Sequence, residues 1–318
     1  MVRRKSTDRL LDVNRHGRPK GLIPAIAAPL PDDVEVSFEF FPPATPQAQA
    51  QFRETLARLE PLRPEFVSVT YGAGGTTQDR TLETVTEIRR TTSLQAAAHL
   101  TCVGKSKAEV DAVAERIWDA GVRRIVALRG DAPKGASRYQ PHPDGYAYAA
   151  DLVAGLKRLH DFKIAVAAYP EVHPEALSAD ADLDNLKRKV DAGAELAISQ
   201  YFFDTEVFLR YLERVRAAGI AIPVIPGILP VSNFTQVARF SKMCGTHVPD
   251  WMAELFDGLD DDPETRRLVA ASIAAEQCRL LHAGGVGRFH LYTLNHSSLG
   301  IAICRMLGVR PQTVAKAA

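Results

Sequence analysis

Glu39 is the residue of this chain best suited to moving a proton. Phe38, Phe40 and Phe41 flank it, and Pro42 and Pro43 follow. Burial among such neighbours disfavours the charged form of a carboxyl, so its pKa should be raised and general acid is the role expected. The plainer reading is a solvated carboxylate near a strand end. Leu128-Arg-Gly-Asp131 offers a guanidinium and a carboxylate two residues apart. Such a pair can position an anionic group and stabilise a developing cation, or it can be a structural salt bridge. An adhesion role for the Arg-Gly-Asp string is set aside because the string leaves a core strand. Tyr169-Pro-Glu-Val-His-Pro-Glu175 puts a ring, an imidazole and two carboxylates on a proline-stiffened loop. Its spacing matches no standard metal triad, so a platform for a flat polar ligand is expected and no metal.

Other polar clusters carry weaker signals. Asp182, Asn185 and Lys189 share one helical stripe with Arg188 beside it, a pattern that by itself reads as a solvated face. Tyr71-Gly-Ala-Gly-Gly75 lacks the spacing of a phosphate loop, and its glycines would equally let a ligand approach the backbone. The acidic run Asp257–Asp262 sits where helix N-caps belong. His290 and His247 read as ordinary structural histidines.

The elements that must position these groups form a regular series. Short apolar runs at Val34–Phe40, Phe66–Val69, Ala96–Ala98, Ile125–Leu128, Ile164–Ala168, Leu196–Ser199, Val224–Ile228 and Phe289–Thr293 read as strands. Seven of them end in or beside polar residues: Glu39, Thr70, His99, Arg129 with Asp131, Tyr169, Gln200, and Asn295 with His296. Val224–Ile228 ends instead in a Gly/Pro turn. Helical patterns lie between successive strands, among them 79–90, 106–120, 152–160, 180–192 and 205–218, with a block at 232–244, 249–256 and 262–281 before the last strand. Alternating βα units with polar strand ends predict a (β/α)8 TIM barrel, its extra helices before the last strand and its active site at the mouth. In Val34-Glu-Val-Ser-Phe-Glu-Phe40 the apolar residues should face the helices while Glu35, Ser37 and Glu39 point inward. Thr45-Pro46 should cap the first helix, and Gly121, Gly193 and Gly219 should end later ones.

The chain has 318 residues and a net charge of +1. A barrel takes ~250 residues, so one domain over 33–318 plus an extension over residues 1–32, mobile or loosely docked, accounts for the length. Balanced charge gives no reason to expect nucleic acid or a membrane surface as partner. No apolar run approaches the ~18 residues needed to span a bilayer. Cys102, Cys244, Cys278 and Cys304 form no C-x-x-C pair and read as small core residues in a reducing cytoplasm.

Ser37-Phe-Glu-Phe-Phe-Pro-Pro43, Val67-Ser-Val-Thr-Tyr-Gly72, His99-Leu-Thr-Cys102 and Ala127-Leu-Arg-Gly-Asp131 occur in that order. Ala167-Ala-Tyr-Pro-Glu-Val-His-Pro-Glu-Ala176, Asn185-Leu-Lys-Arg-Lys-Val-Asp-Ala-Gly193 and Ser199-Gln-Tyr-Phe-Phe-Asp204 follow. Ile225-Pro-Gly-Ile-Leu-Pro-Val-Ser-Asn-Phe234, Phe256-Asp-Gly-Leu-Asp-Asp-Asp262 and Tyr292-Thr-Leu-Asn295 close the series. Together they resemble the bacterial methylenetetrahydrofolate reductase family. The resemblance implies a barrel holding non-covalent FAD, reduced by NADH or NADPH and reoxidised by 5,10-methylenetetrahydrofolate in a ping-pong cycle that feeds methionine synthesis. It implies that Thr70, His99, Arg129, Gly130, Asp131, Tyr169, His173, Ala176, Asp182, Asn185, Arg188 and Lys189 hold FAD, which replaces the solvated-face reading of the 182–189 stripe. It also implies Glu39 and Asp131 as catalytic residues, with Glu39, Gln200, Gln236, Phe240 and His296 meeting folate or nicotinamide, and a homo-oligomer as the assembly. The family often carries arginine where this chain has His296. A silent flavin- or folate-binding barrel and another pterin-dependent one-carbon enzyme are the alternatives. The latter would want a zinc–thiolate site or a cobalamin module, and neither is visible in the sequence.

Overall fold

The computed structural model describes residues 33–72, 78–132, 135 and 138–312. The expected extension over residues 1–32 and the glycines of 73–77 lie outside them. Nine strands make one parallel sheet: β1 (Glu35–Phe40), β2 (Val67–Val69), β3 (Ala96–Thr101), β4 (Arg124–Leu128), β5 (Lys163–Ala168), β6 (Leu196–Ser199), β7 (Val224–Ile225), β8 (Gly227–Ile228) and β9 (Arg288–Tyr292). Their order is β7-β6-β5-β4-β3-β2-β1-β9-β8. β7 bonds to β6 while β8 bonds to β9. The two are halves of one strand position interrupted by Pro226, so the sheet closes on itself as a (β/α)8 barrel. Pro226 cannot donate to a ladder, yet its carbonyl still accepts from the His290 N–H at 3.0 Å. Gly227 is required by close approach. A Cβ there would fall on the Ser199 carbonyl oxygen and 2.6 Å from Tyr292 Oη.

The helices that follow the strands are α1 (Pro46–Leu59), α2 (Gln78–Thr91), α3 (Lys107–Asp119), α4 (Ala149–Leu159), α5 (Ala179–Asp191) and α6 (Thr205–Ala217). Three more, α7 (Phe234–Cys244), α8 (Asp250–Phe256) and α9 (Pro263–Ala283), lie between β8 and β9, where the extra helices were expected. α10 (Ser297–Met306) follows the last strand and was not foreseen. Thr45 caps α1 by accepting from the Ala48 N–H, and Asp262 caps α9 by accepting from Thr265. Gly121, Gly193 and Gly219 take positive φ just past α3, α5 and α6, as their type predicts.

Alternation along each strand sorts side chains into two layers. Phe38, Phe40, Val67, Val69, Leu100 and Ile125 pack outward beneath the helices, and Phe40 meets Phe52 of α1 edge-on at 5.4 Å. Each such phenylalanine contributes roughly 2–3 kcal/mol by leaving water. Inside, Phe66, Ala97, Val126, Ala165, Leu196, Ile198 and Ile225 fill the barrel. Below this plug, at the N-terminal end, Arg288 pairs with Glu35 and Glu65, and Arg124 also reaches Glu65. Above it, at the C-terminal end, the inward positions are polar.

Candidate active site

Register brings Glu39 level with Ser68 on one side and Tyr292 on the other, and neighbouring parallel strands present such residues to the same face. Glu39 Oε2 lies 3.3 Å from His99 Nε2 and 3.6 Å from His290 Nε2. His290 is fully buried, stacks on Phe66 at 5.6 Å, and has Nδ1 2.7 Å from Ser37 Oγ. Burial pushes the Glu39 carboxyl up, but the charge of His99 and the His290 imidazole beside it outweigh it and bring the pKa from 4.5 down to about 2. The expected rise is therefore corrected. Desolvation acts as foreseen, and two imidazoles distant in sequence reverse the net effect. His290, read as a structural histidine, is buried with its Nε2 towards Glu39. In Arg288-Phe-His-Leu-Tyr292 the polar residues alternate with apolar ones, and that period of two is the signal that puts His290 and Tyr292 inside the barrel.

Tyr292 spans the mouth. Its hydroxyl donates to the Ser199 carbonyl at 2.9 Å, beside Gln200 on the far strand. The Oε1 of Gln200 accepts from the Tyr201 N–H at 3.0 Å, which leaves the amide NH2 to donate elsewhere. Asn295 locks the end of β1 to the end of β9: its Oδ1 accepts from the Phe41 N–H at 2.8 Å, and its Nδ2 donates to the Phe41 carbonyl at 2.9 Å. Thr293 Oγ1 donates to the Glu39 carbonyl at 2.6 Å.

The ends of β4 and β5 carry a second group. Arg129 pairs with Glu175, donates from Nε to the Gly130 carbonyl at 3.0 Å, and lies 4.4 Å over the Tyr139 ring. Gly130 has φ +87, and a Cβ there would collide with Val103. Asp131 is exposed on the loop after β4, and its charge helps to raise the Tyr169 hydroxyl, for which burial is the larger cause. Tyr169 packs edge-on against His173 at 4.7 Å, and the His173 N–H donates to Asp182 Oδ2 at 2.9 Å. Ala176 closes the same loop, donating its N–H to the His173 carbonyl at 2.8 Å. Lys189 Nζ donates to the Ala167 carbonyl at 2.6 Å, and burial lowers its pKa to about 8 although Asp182 favours the charge. Asp182 and Lys189 thus turn towards the barrel, while Asn185 and Arg188 of the same stripe are exposed and form no side-chain hydrogen bond or ion pair among the described residues. Thr70 sits at the end of β2, its N–H donating to the Phe40 carbonyl at 2.9 Å, one residue past Glu39.

Gln236, Phe240 and His296 lie on other elements, and the His296 N–H donates to the Thr293 carbonyl at 2.9 Å. Gln236 and Phe240 are exposed on α7, and His296 is the exposed residue preceding α10. None of the three hydrogen-bonds to Glu39 among the described residues. Cys102, Cys278 and Cys304 are buried and all four cysteines are free; Cys244 is half-buried near Tyr201. Among the described residues, no group of three or more His, Cys, Asp or Glu is arranged to hold a metal, and no helix is long and apolar enough to cross a membrane. A crevice of about 680 Å³ opens at the opposite end of the barrel, between Val34, Arg63 and Arg310, away from this chemistry.

Compared with known families, residues 26–308 match the one described as Methylenetetrahydrofolate reductase. The chain belongs to the methylenetetrahydrofolate reductase family. Two curated members of the family, the 5,10-methylenetetrahydrofolate reductases of Pectobacterium carotovorum and Escherichia coli K12, are each 50% identical to it over 296 residues. That stretch is 93% of this chain and 97% and 98% of theirs. The family member named methylenetetrahydrofolate reductase (NADH) 1 of Arabidopsis thaliana is 36% identical over 284 residues, covering 86% of this chain and 48% of that one. Among solved structures, an uncharacterised protein from Clostridium thermocellum, described as binding two copies of 5-methyl-5,6,7,8-tetrahydrofolic acid, shares the fold. Its TM-score is 0.60 at 13% identity, covering 87% of this chain and 95% of that chain.

Proposed function

We propose that this chain reduces 5,10-methylenetetrahydrofolate to 5-methyltetrahydrofolate at the mouth of its barrel, with non-covalent FAD and NADH or NADPH. The observation that carries this reading is the meeting, at one end of the barrel, of a carboxyl held between two imidazoles and a cationic, ring-bearing cluster at the ends of β4 and β5. The donor set suits FAD. Arg188 and Lys189 answer a pyrophosphate, Gly130 keeps its stretch of backbone free of a Cβ, and Thr70, His99, Arg129, Asp131, Tyr169, His173, Ala176, Asp182 and Asn185 line the path of a long polar cofactor. When bound, the flavin would supply a two-electron carrier that takes hydride from a nicotinamide and gives it to the methylene carbon.

The residues do the rest. The methylene bridge resists hydride until a ring nitrogen is protonated and the five-membered ring opens to a cation. Glu39 is the side chain to deliver that proton from Oε2. Because its carboxyl is ionised near neutrality, it must first gain a proton. Asp131 stabilises the cation by its charge. Gln200 offers its amide NH2 to a pterin or a nicotinamide, while Gln236 and the exposed Phe240 offer a hydrogen-bonding head and a stacking surface. The test is spectroscopic. Purified protein should be yellow, bleach anaerobically with NADH or NADPH, and regain colour with 5,10-methylenetetrahydrofolate. Glu39→Gln should still bleach but regain colour about 10²–10⁴-fold more slowly. Colourless protein that takes up no added FAD, or colour restored equally fast by the variant, would overturn the reading.

A further inference from the structure

Between the two groups of proposed ligands runs a connection that neither needs for its own chemistry. Glu171 lies two residues after Tyr169 and two before His173. Its Oε1 accepts from the His247 backbone N–H at 3.0 Å. His247 lies just beyond the C-terminal end of α7, the helix that carries Gln236 and Phe240. Gly245, at φ +73, lets the two backbones close up: a Cβ there would come 3.1 Å from Pro174 Cγ and 3.6 Å from the Val172 carbonyl oxygen. α7 is also held from the far side, by Ser241 Oγ at 3.2 Å from Tyr201 Oη and by Thr246 Oγ1 donating to the Tyr201 carbonyl at 3.1 Å.

Val172 reports how firmly this joint is set. It takes φ +72, a left-handed conformation that a β-branched residue adopts only when its surroundings impose it. What imposes it is on either side: the Glu171 carboxylate fixed on the His247 amide just past α7, and the His173 N–H fixed on Asp182 of α5. The second oxygen of Glu171, Oε2, is buried and makes no hydrogen bond among the described residues. The carboxyl is therefore committed to the one amide it holds.

We infer that Glu171 is a positioning residue that ties the loop bearing Tyr169 and His173 to the end of α7, so that the cofactor side and the folate side of the site are set together. The inference rests on the proposed reading of those two sides. It implies that loosening one bond, which touches neither ligand, weakens both.

The test uses the full chain with added FAD. A charge-assisted hydrogen bond of this kind is worth about a tenfold change in an equilibrium. Glu171→Ala should raise the KM for 5,10-methylenetetrahydrofolate about tenfold and weaken FAD retention by a similar factor, with kcat within about twofold. Glu171→Gln, whose amide oxygen still accepts, should restore both to within about twofold of the parent. Hydrogen exchange at the His247 amide should quicken in the alanine chain and stay slow in the glutamine chain. If the alanine chain does not fold, Glu171→Asp, which is one carbon too short to reach, takes its place. A change in only one of the two ligands, or glutamine as damaging as alanine, would overturn the inference. Exchange at His247 needs no ligand, so unaltered exchange sinks the inference even if the parent chain proves to bind neither FAD nor folate, which would sink the functional reading instead.

Discussion

Replacing His99 with asparagine isolates the electrostatics around Glu39. In the intact chain burial pushes the carboxyl up, yet the His99 charge and the neighbouring His290 imidazole hold it at about 2 instead of 4.5. The gap corresponds to about 3 kcal/mol in favour of the carboxylate. His99 is the larger of the lowering causes, with its Nε2 3.3 Å from Oε2. Asparagine cannot carry its charge, so the pKa of Glu39 should climb by about one pH unit or more, and each such step makes the protonated form about tenfold commoner near neutrality. Reoxidation of the pre-reduced enzyme by 5,10-methylenetetrahydrofolate, followed in single turnovers between about pH 5 and about pH 9, reads this directly, because that step consumes the proton. The alkaline limb of the variant should move upward by about one pH unit. Absorbance at each pH corrects for flavin content, since His99 also belongs to the proposed cofactor set. Profiles that overlay after that correction would refute imidazole control of Glu39.

Further outcomes follow from single features. Burial lowers Lys189 to about 8, and a neighbouring anion would favour its charged form, so FAD binding should take up a proton above that pH and weaken severalfold as pH rises from 8 to about 9. Dissociation constants measured by flavin fluorescence that stay flat over that range would contradict the assignment of Lys189 to the pyrophosphate. Gly227→Ala should destabilise the chain by about 3 kcal/mol in urea titrations, because the new methyl meets the Ser199 backbone and the Tyr292 hydroxyl. Wild-type stability would show that the seam between the half-strands yields more readily than its geometry implies. His296→Arg should alter the KM for folate more than kcat, since an always-charged side chain would replace an exposed imidazole at the rim. Steady-state kinetics with an unchanged KM would count against that.

Much of the barrel could be read from the chain because seven of the eight strand runs are short apolar stretches ending in or beside a polar residue, a pattern that only local sequence is needed to see. Thr45, Asp262, Gly121 and Gly193 mark helix ends by the chemistry of their own side chains or lack of them. What escaped notice depends on partners far away. The low pKa of Glu39 is set by His99 and His290, which nothing near residue 39 announces. The split at Pro226 follows from which neighbours β7 and β8 must each satisfy. α10 starts just after Leu294 and Asn295 turn left-handed, a conformation that Asn tolerates but Leu does not announce. At the site, Asp182 and Lys189 turn towards the barrel although their stripe alone resembles a wetted face, and no periodicity can separate those two from Asn185 and Arg188.

The ionic floor formed by Glu35, Glu65, Arg124 and Arg288, with the apolar plug above it, makes the chamber a cup rather than a tunnel. Whatever is received over the rim has to depart over the same rim, so no reactant can arrive by the back while another is leaving.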